Sequence, residues 1–342
     1  MSNQKNREIR LKSRPVGLPT PANFELVETA VPTPGTGEVL VRNIYMSVDP
    51  YMRGRMVDRA SYVPPFQVGE VLSGGAIGQV VASNNNKDFK AGDYVSNFNG
   101  WREWFVSSSG GLQKLDHTIA PIQSYLGALG MPGLTAYAGL LRVAAMKDGE
   151  RVFVSAASGA VGSIAVQIAK NHGCYVVGSA GSDEKCKYLT QELGIDKAIN
   201  YKKAGDLSRA LREAFPEGID VYFENVGGEH LVAALNTMRM NGRIALCGMI
   251  EHYNDTVMSP GPGNLMMAIG LSLTIRGFIV SYHQDMQEKF LADMTKWINE
   301  GKMKWRETVL DGIERAPEAF IGLFKGDNFG KMLVRVGPEK AV

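Results

Sequence analysis

The stretch from Ser155 to Lys170, SAASGAVGSIAVQIAK, constrains the fold more than any other part of the chain. The continuous apolar run RVFVSA leads into it and a second, CYVVGSA, follows it. Ala156, Gly159 and Gly162 form an A-x-x-G-x-x-G pattern where a strand hands over to a helix. Small residues at that spacing permit a tight turn, close approach of backbone to a pyrophosphate, and close helix–strand packing. The helix N-terminus then offers unpaired N–H groups and a partial positive charge to phosphates. Val161, Ile164, Ala165, Ile168 and Ala169 recur at helical spacing, predicting one face laid on a sheet. A turn whose small residues serve packing alone is the competing reading, and the strand–turn–helix setting favours a dinucleotide.

The surroundings extend this unit in both directions. Up to about residue 120 the chain reads as all-β, with EVLVRNIYMSV, GAIGQVVAS and DYVSNF as strands between Pro and Gly turns. After LGALGMPGLTAYAGLL, which reads as a helix with a Pro-Gly break, strands and helices alternate: DEKCKYLTQEL as a helix, then KAINY, IDVYFENV, GRIALCGMI and LTIRGFIV as strands. Uninterrupted β-branched strands alternating with helices predict a parallel sheet covered on both faces. The final GKMLVRV predicts a strand returning to the first domain. Two domains are expected from 342 residues. We place them at 1–125, completed by 300–342, and at 126–299.

A carboxylate at the end of the second strand would hold the ribose hydroxyls of NAD. Here that strand ends in Gly178, Ser179, Ala180, Gly181 and Ser182, and the first acid is Asp183. Lys185 is placed to meet a 2′-phosphate as a point charge, which favours NADPH over NADH. A solvated first helical turn, with Asp183 as its acid, is compatible with that role.

Other classes find no support. A net charge of +2, with no Lys/Arg block, gives no reason to expect a nucleic-acid partner. The greasiest segment, Asn264 to Val280, carries Arg276 and is short for a membrane span. Cys174, Cys186 and Cys247 form no disulfide framework, and the polar N-terminus has no apolar signal core; together these predict a cytoplasmic protein. His117, His172, His230, His252 and His283 are scattered without metal-ligand spacing, so no metal is expected. His172 and His252 read as a helix C-terminal and a loop residue. No nucleophile elbow or triad is evident.

VDPYMRGRM, MPGLTAY, AASGAVGSIAVQIAK, GSAGSDEK, FENVGG, CGMIEHYN and GDNFGK occur in this order over nearly the whole chain. Together they resemble the zinc-independent medium-chain dehydrogenases/reductases, in particular the prostaglandin reductase (leukotriene hydroxydehydrogenase) group, to which alkenal double-bond reductases and bacterial curcumin reductases are similar. Zinc-bearing relatives carry Gly-His-Glu in the first domain, where this chain reads QVGEVLSGG with Val68 before Gly69-Glu70. The resemblance implies a GroES-like β-barrel catalytic domain, a Rossmann domain, a homodimer paired through LTIRGFIV, and an active site in the cleft between the domains. It implies NADPH-dependent reduction of the carbon–carbon double bond of a small α,β-unsaturated aldehyde or ketone. The pyrophosphate would meet Gly159, Ala160, Val161, Gly162 and Ser163, and the 2′-phosphate Lys185 and Tyr201. Asn225 would lie near the nicotinamide ribose; Cys247, Gly248, Met249, Ile250 and Tyr253 would line the cofactor; Phe278, Ile279 and Val280 would flank the carboxamide; Asn328 would close over it.

Conjugate reduction needs a hydride at the β-carbon and hydrogen-bond donors for the enolate oxygen. Tyr253 is the first candidate donor, since a phenol is protonated at neutral pH, and Tyr51 the second. A solvated turn at HYND and a core-packing Tyr51 beside Pro50 are the competing readings, and the nicotinamide ribose hydroxyl is a third proton source. Arg53 and Arg55 would meet polar substrate parts or solvate a loop. The Met-rich Thr256–Ile269 segment suits a permissive pocket wall or an interface. Quinone reduction of the zeta-crystallin kind and a non-catalytic NADPH-binding role stand as alternatives.

Overall fold

The computed structural model describes residues 5–339. The chain divides into two units, Met1–Leu126 with Glu307–Val342, and Gly127–Arg306.

The first unit opens on the antiparallel pair β1 (Lys5–Leu11) and β2 (Phe24–Ala30). Next come β3 (Val39–Ser47), the one-turn helix α1 (Met52–Arg55), β4 (Ala76–Ser83), β5 (Tyr94–Asn97), β6 (Trp104–Ser107) and β7 (Gln113–Lys114). Strand β3 organises the unit, running antiparallel to β4 and to β6. That central place explains why it carries so few polar side chains and why its Asn43 is buried. Asn43 answers burial with hydrogen bonds, donating to the carbonyls of Asn99 and Arg102 and accepting from Asn97.

The second unit begins with α2 (Met131–Ala138). Pro132 does not break this helix; it occupies the first turn, where a missing N–H costs nothing. Then follow β8 (Arg151–Val154), α3 (Gly162–Asn171), β9 (Tyr175–Ala180), α4 (Asp183–Lys187), β10 (Lys197–Asn200), α5 (Leu207–Ala214), β11 (Ile219–Glu224), α6 (Gly228–Leu235), β12 (Met238–Leu246), α7 (Met267–Gly270), β13 (Thr274–Gly277) and α8 (Gln287–Asn299). The strands form one parallel sheet in the order β10-β9-β8-β11-β12-β13. This is the doubly wound arrangement, and its order reverses between β8 and β11, the place where sheets of this kind bind ligands at their carboxyl ends. Phe153, Val177, Leu211, Tyr222 and Ile244 are buried in the core of this sheet.

Helix α3 departs from the expected single apolar face. Everything from Gly162 to Ala169 is buried, Ser163 and Gln167 included. Gln167 accounts for it: its Nε2 donates to Lys304 O at 2.7 Å and its Oε1 accepts from Lys304 N at 2.7 Å. A polar residue at that place closes the outer face by satisfying a neighbouring backbone. No periodicity in the helix itself reveals this.

The chain then re-enters the first unit with β14 (Glu307–Asp311), α9 (Ala316–Lys325) and β15 (Lys331–Arg335). Strand β15 lies between β14 and β3, so the closing GKMLVRV run does pair with the first unit's central strand.

Candidate active site at the carboxyl ends of the parallel strands

The turn after β8 is built as tightly as its composition suggested. Ala156 has φ +47°, a left-handed conformation that a non-glycine residue adopts at a cost of about 1–2 kcal/mol. A Cβ on Gly162 would lie 2.8 Å from Ala157 Cα and 3.0 Å from the Ala156 carbonyl carbon, nearer still to its oxygen. Only glycine lets α3 start this close to β8. Gly159 is less confined: a Cβ there would meet just the Ala156 oxygen, at 3.2 Å, so the turn would have to give by only a few tenths of an ångström. Ser163 N donates to Gly159 O at 3.0 Å, and Ala160 and Val161 stand half-buried between them. A dinucleotide pyrophosphate fits this cradle: backbone without a side chain at Gly159, beside the N-terminal, partially positive end of a ten-residue helix.

At the end of β9, the Ser182 hydroxyl caps α4 by accepting from Lys185 N at 3.2 Å. Asp183 is held by Asn200 at 2.6 Å and Lys203 at 2.5 Å, which pull its carboxyl below the ordinary range. The acid beside Lys185 is thereby committed elsewhere. A Cβ on Gly181 would come within 3.2 Å of Tyr201 Oη and 3.3 Å of Lys202 Cε, so Tyr201 stands directly over the strand end. Beneath it, edge-on at 4.9 Å, is His230, whose Nε2 meets Ser179 Oγ at 3.0 Å. Burial lowers the His230 pKa to about 4, so its ring is neutral. Nothing in the sequence singled out His230; its partners Ser179 and Tyr201 lie far from it along the chain.

The ends of β11 and β12 are joined through Glu224, which is fully buried. Its Oε1 accepts from Ser155 Oγ at 2.8 Å and from Val226 N at 2.6 Å, while its carbonyl accepts from Cys247 N and Gly248 N. Asn225 donates its backbone N–H to Ser155 Oγ at 2.9 Å and its Nδ2 to Ser155 O at 2.8 Å. Ile250 N donates to Asn225 O at 3.2 Å. Asn225, Cys247, Gly248, Met249 and Ile250 are therefore one assembly. Burial, and next the Glu224 charge, push the Cys247 thiol up to about 12, so it is no nucleophile. Tyr253, half-buried, follows the short 3-10 turn Ile250–His252, and its Oη would lie 3.0 Å from a Cβ on Gly248. That places the phenol over the strand end and sets aside a wholly solvated turn. Phe278, Ile279 and Val280 are half-buried, and Phe278 meets Phe223 edge-on at 6.3 Å.

Two candidates belong to the first unit. Tyr51 packs against the core formed by Met52, Trp101, Phe320 and their neighbours, and burial, with the nearby Asp49 charge, raises its phenol. Asp49 is itself buried, bound to Lys331 at 3.0 Å and to Ser47. Asn328 donates to Gly330 O at 2.8 Å. Arg53 and Arg55 are not solvated loop arginines. Arg53 is buried and donates to Gly17 O at 2.9 Å; Arg55 donates to Pro64 O and Ser73 Oγ and lies 3.9 Å over the Phe66 ring. Both hold their own loop together.

The comparisons agree with this architecture. Residues 7–115 match a family described as N-terminal domain of oxidoreductase, and residues 160–296 one described as zinc-binding dehydrogenase. The chain is 47% identical over 98% of each chain to the NADPH-dependent curcumin reductase of Escherichia coli, and 44% identical over 98% of each to the NADP(+)-dependent 2-alkenal reductase of Nicotiana tabacum. It superimposes with a TM-score of 0.91 on CurA from Vibrio vulnificus in complex with NADPH, at 43% identity over 97% of this chain and 99% of that one. The chain belongs to the medium-chain dehydrogenase/reductase family, in the group that contains the curcumin, 2-alkenal and prostaglandin reductases. Zinc, which the family description names, does not fit these side chains. Among the described residues no group of three or more His, Cys, Asp or Glu could hold a metal ion, and Val68 stands before Gly69-Glu70.

Proposed function

We propose that this protein reduces the carbon–carbon double bond of α,β-unsaturated ketones and aldehydes with NADPH. The observation that carries the reading is the joined set of turns after β8, β11 and β12, together with relatives whose names give that cofactor and those substrates. When bound, NADPH supplies the hydride that adds to the β-carbon of the enone.

The chain's own residues bind, orient and stabilise. Gly159 to Ser163 receive the pyrophosphate at the N-terminal end of α3. Lys185 and Tyr201 receive the 2′-phosphate beside Gly181, which accounts for a preference over NADH. Asn225, Cys247 to Ile250 and Phe278 to Val280 hold the nicotinamide end, and Asn328 is a further residue assigned to the cofactor. The Tyr253 phenol donates a hydrogen bond to the carbonyl oxygen as negative charge gathers there, and Tyr51 is the second donor. A preorganised donor at that oxygen is the largest contribution a protein makes to such a step.

The working form in this proposal is a cytoplasmic homodimer. Support for pairing comes from β13, the last strand in the sheet order, and from the exposed Met258, Met266 and Ile269 in the preceding segment. Among the described residues, no helix is long and apolar enough to cross a membrane. The test is NADPH oxidation with a panel of enones, matched saturated ketones and quinones, repeated with NADH. Turnover of enones, absent with saturated ketones and much slower with NADH, is expected; turnover of saturated ketones or quinones alone overturns the assignment.

A further inference from the structure

Glu224 ends β11 as a carboxyl group with no exposure to solvent, yet no ion pair to it forms among the described residues. Burial raises its pKa. A group that costs this much to bury requires a reason, and its bonding supplies one. Ser155 Oγ accepts from Asn225 N, so the hydroxyl hydrogen must go elsewhere, and Glu224 Oε1 lies 2.8 Å away to take it. The same oxygen takes Val226 N–H, the first amide of the turn after Asn225. The Glu224 carbonyl takes the amides of Cys247 and Gly248. One residue thus ties the ends of β8, β11 and β12 together, although Ser155 is 69 residues away in sequence.

We propose that Glu224 is a positioning residue for the dinucleotide: through Ser155 it fixes the Asn225 amide, with Nδ2 on Ser155 O and Oδ1 left as the acceptor for a ribose hydroxyl. This rests on the reading of these turns as the NADPH site. What is required of Glu224 is an acceptor oxygen at Oε1, not a charge. The same carboxyl neighbours the Tyr222 phenol, which burial and then the Glu224 charge push up. Glutamine keeps the acceptor at Oε1 and offers its Nε2 to that neighbourhood. Methionine keeps the volume and removes the acceptor, leaving the Ser155 hydroxyl and Val226 N–H unanswered.

The experiment compares the wild type, Glu224→Gln, Glu224→Met and Ser155→Ala in NADPH titration, in kcat and KM for NADPH, and in thermal unfolding without cofactor. Glu224→Gln is expected to bind NADPH within about threefold of the wild type. Glu224→Met is expected to weaken binding by about tenfold or more, with the change in KM for NADPH exceeding that in kcat. Ser155→Ala, a smaller deletion that tests the same link should Glu224→Met not fold, is expected to weaken binding in the same direction. Equal binding by the Gln and Met variants, or wild-type binding by Ser155→Ala, overturns the proposal. A wild-type protein that does not bind NADPH would instead overturn the function proposed above.

Discussion

Replacing Gly162 with alanine perturbs the site at the point where fold and cofactor binding meet. The added Cβ would lie 2.8 Å from Ala157 Cα, whereas carbon atoms in contact sit about 3.5–4.0 Å apart. Either α3 or the turn must withdraw by about 0.7 Å, the difference between those distances. The obstacle is backbone, so no side-chain rotation relieves it. Overpacking of this kind costs about 1–3 kcal/mol, of which alanine's better helix propensity returns about 1 kcal/mol. The net loss of up to about 2 kcal/mol amounts to a fall in Tm of several degrees. The same withdrawal moves the first N–H groups of α3 off a bound pyrophosphate. A hydrogen bond to a charged group is worth about 1.5–3 kcal/mol, so NADPH affinity falls about ten- to a hundredfold. Gly159→Ala is the control, because its Cβ meets only one oxygen at 3.2 Å. It should lower Tm less than Gly162→Ala does while still weakening NADPH. The assays are thermal unfolding of the cofactor-free protein and NADPH titration by fluorescence. A Gly162→Ala variant that binds NADPH within about twofold of the wild type would refute the reasoning, since a shift of that size cannot be neutral to a ligand held by these amides.

Further outcomes follow from the same geometry. Lys185→Ala should raise KM for NADPH by about ten- to a hundredfold while leaving NADH kinetics unchanged, because only the former presents a 2′-phosphate; equal losses with both cofactors would remove Lys185 from that role. Tyr253→Phe should lower kcat for enones by about a hundredfold with NADPH binding retained, and a loss below fivefold, roughly 1 kcal/mol, would point to another donor. His230, lowered to about 4 by burial, destabilises the folded state once protonated. Its contribution is complete above pH 6.5, is lost as pH falls toward 4, and amounts to about 3 kcal/mol. Denaturant unfolding of the wild type and His230→Gln over that range should therefore converge in acid; parallel curves would contradict the buried neutral ring. Glu224 runs the other way. Its raised pKa makes stability complete below the ordinary carboxylate range and lost as pH rises above it, so the wild type should lose ground to Glu224→Gln as pH rises above that range.

Much of this was legible because it is local. Strand–turn–helix units announce themselves through apolar runs and small residues within a few positions of each other, and the parallel pairing of the strands follows from their alternation with helices. What escaped was long-range. The burial of α3 on all sides depends on Gln167 meeting Lys304, and the roles of Ser155 and Glu224 appear only when β8 and β11 lie side by side. His230 gave no signal because the partners it meets from α6, Ser179 and Tyr201, lie far from it along the chain. Arg53 and Arg55 read as surface residues by type, but their loop folds back so that backbone carbonyls claim them. Sequence types report what a side chain can do; the partner that makes it do so is set by topology.

The central claim concerns which carbon receives the hydride. NADPH deuterated at the transferring position, reacted with a simple enone and followed by NMR of the product, tests it most directly. Deuterium at the β-carbon of a saturated ketone is the predicted result. Deuterium at the carbonyl carbon of an allylic alcohol would contradict the account, whatever the cofactor affinity proved to be.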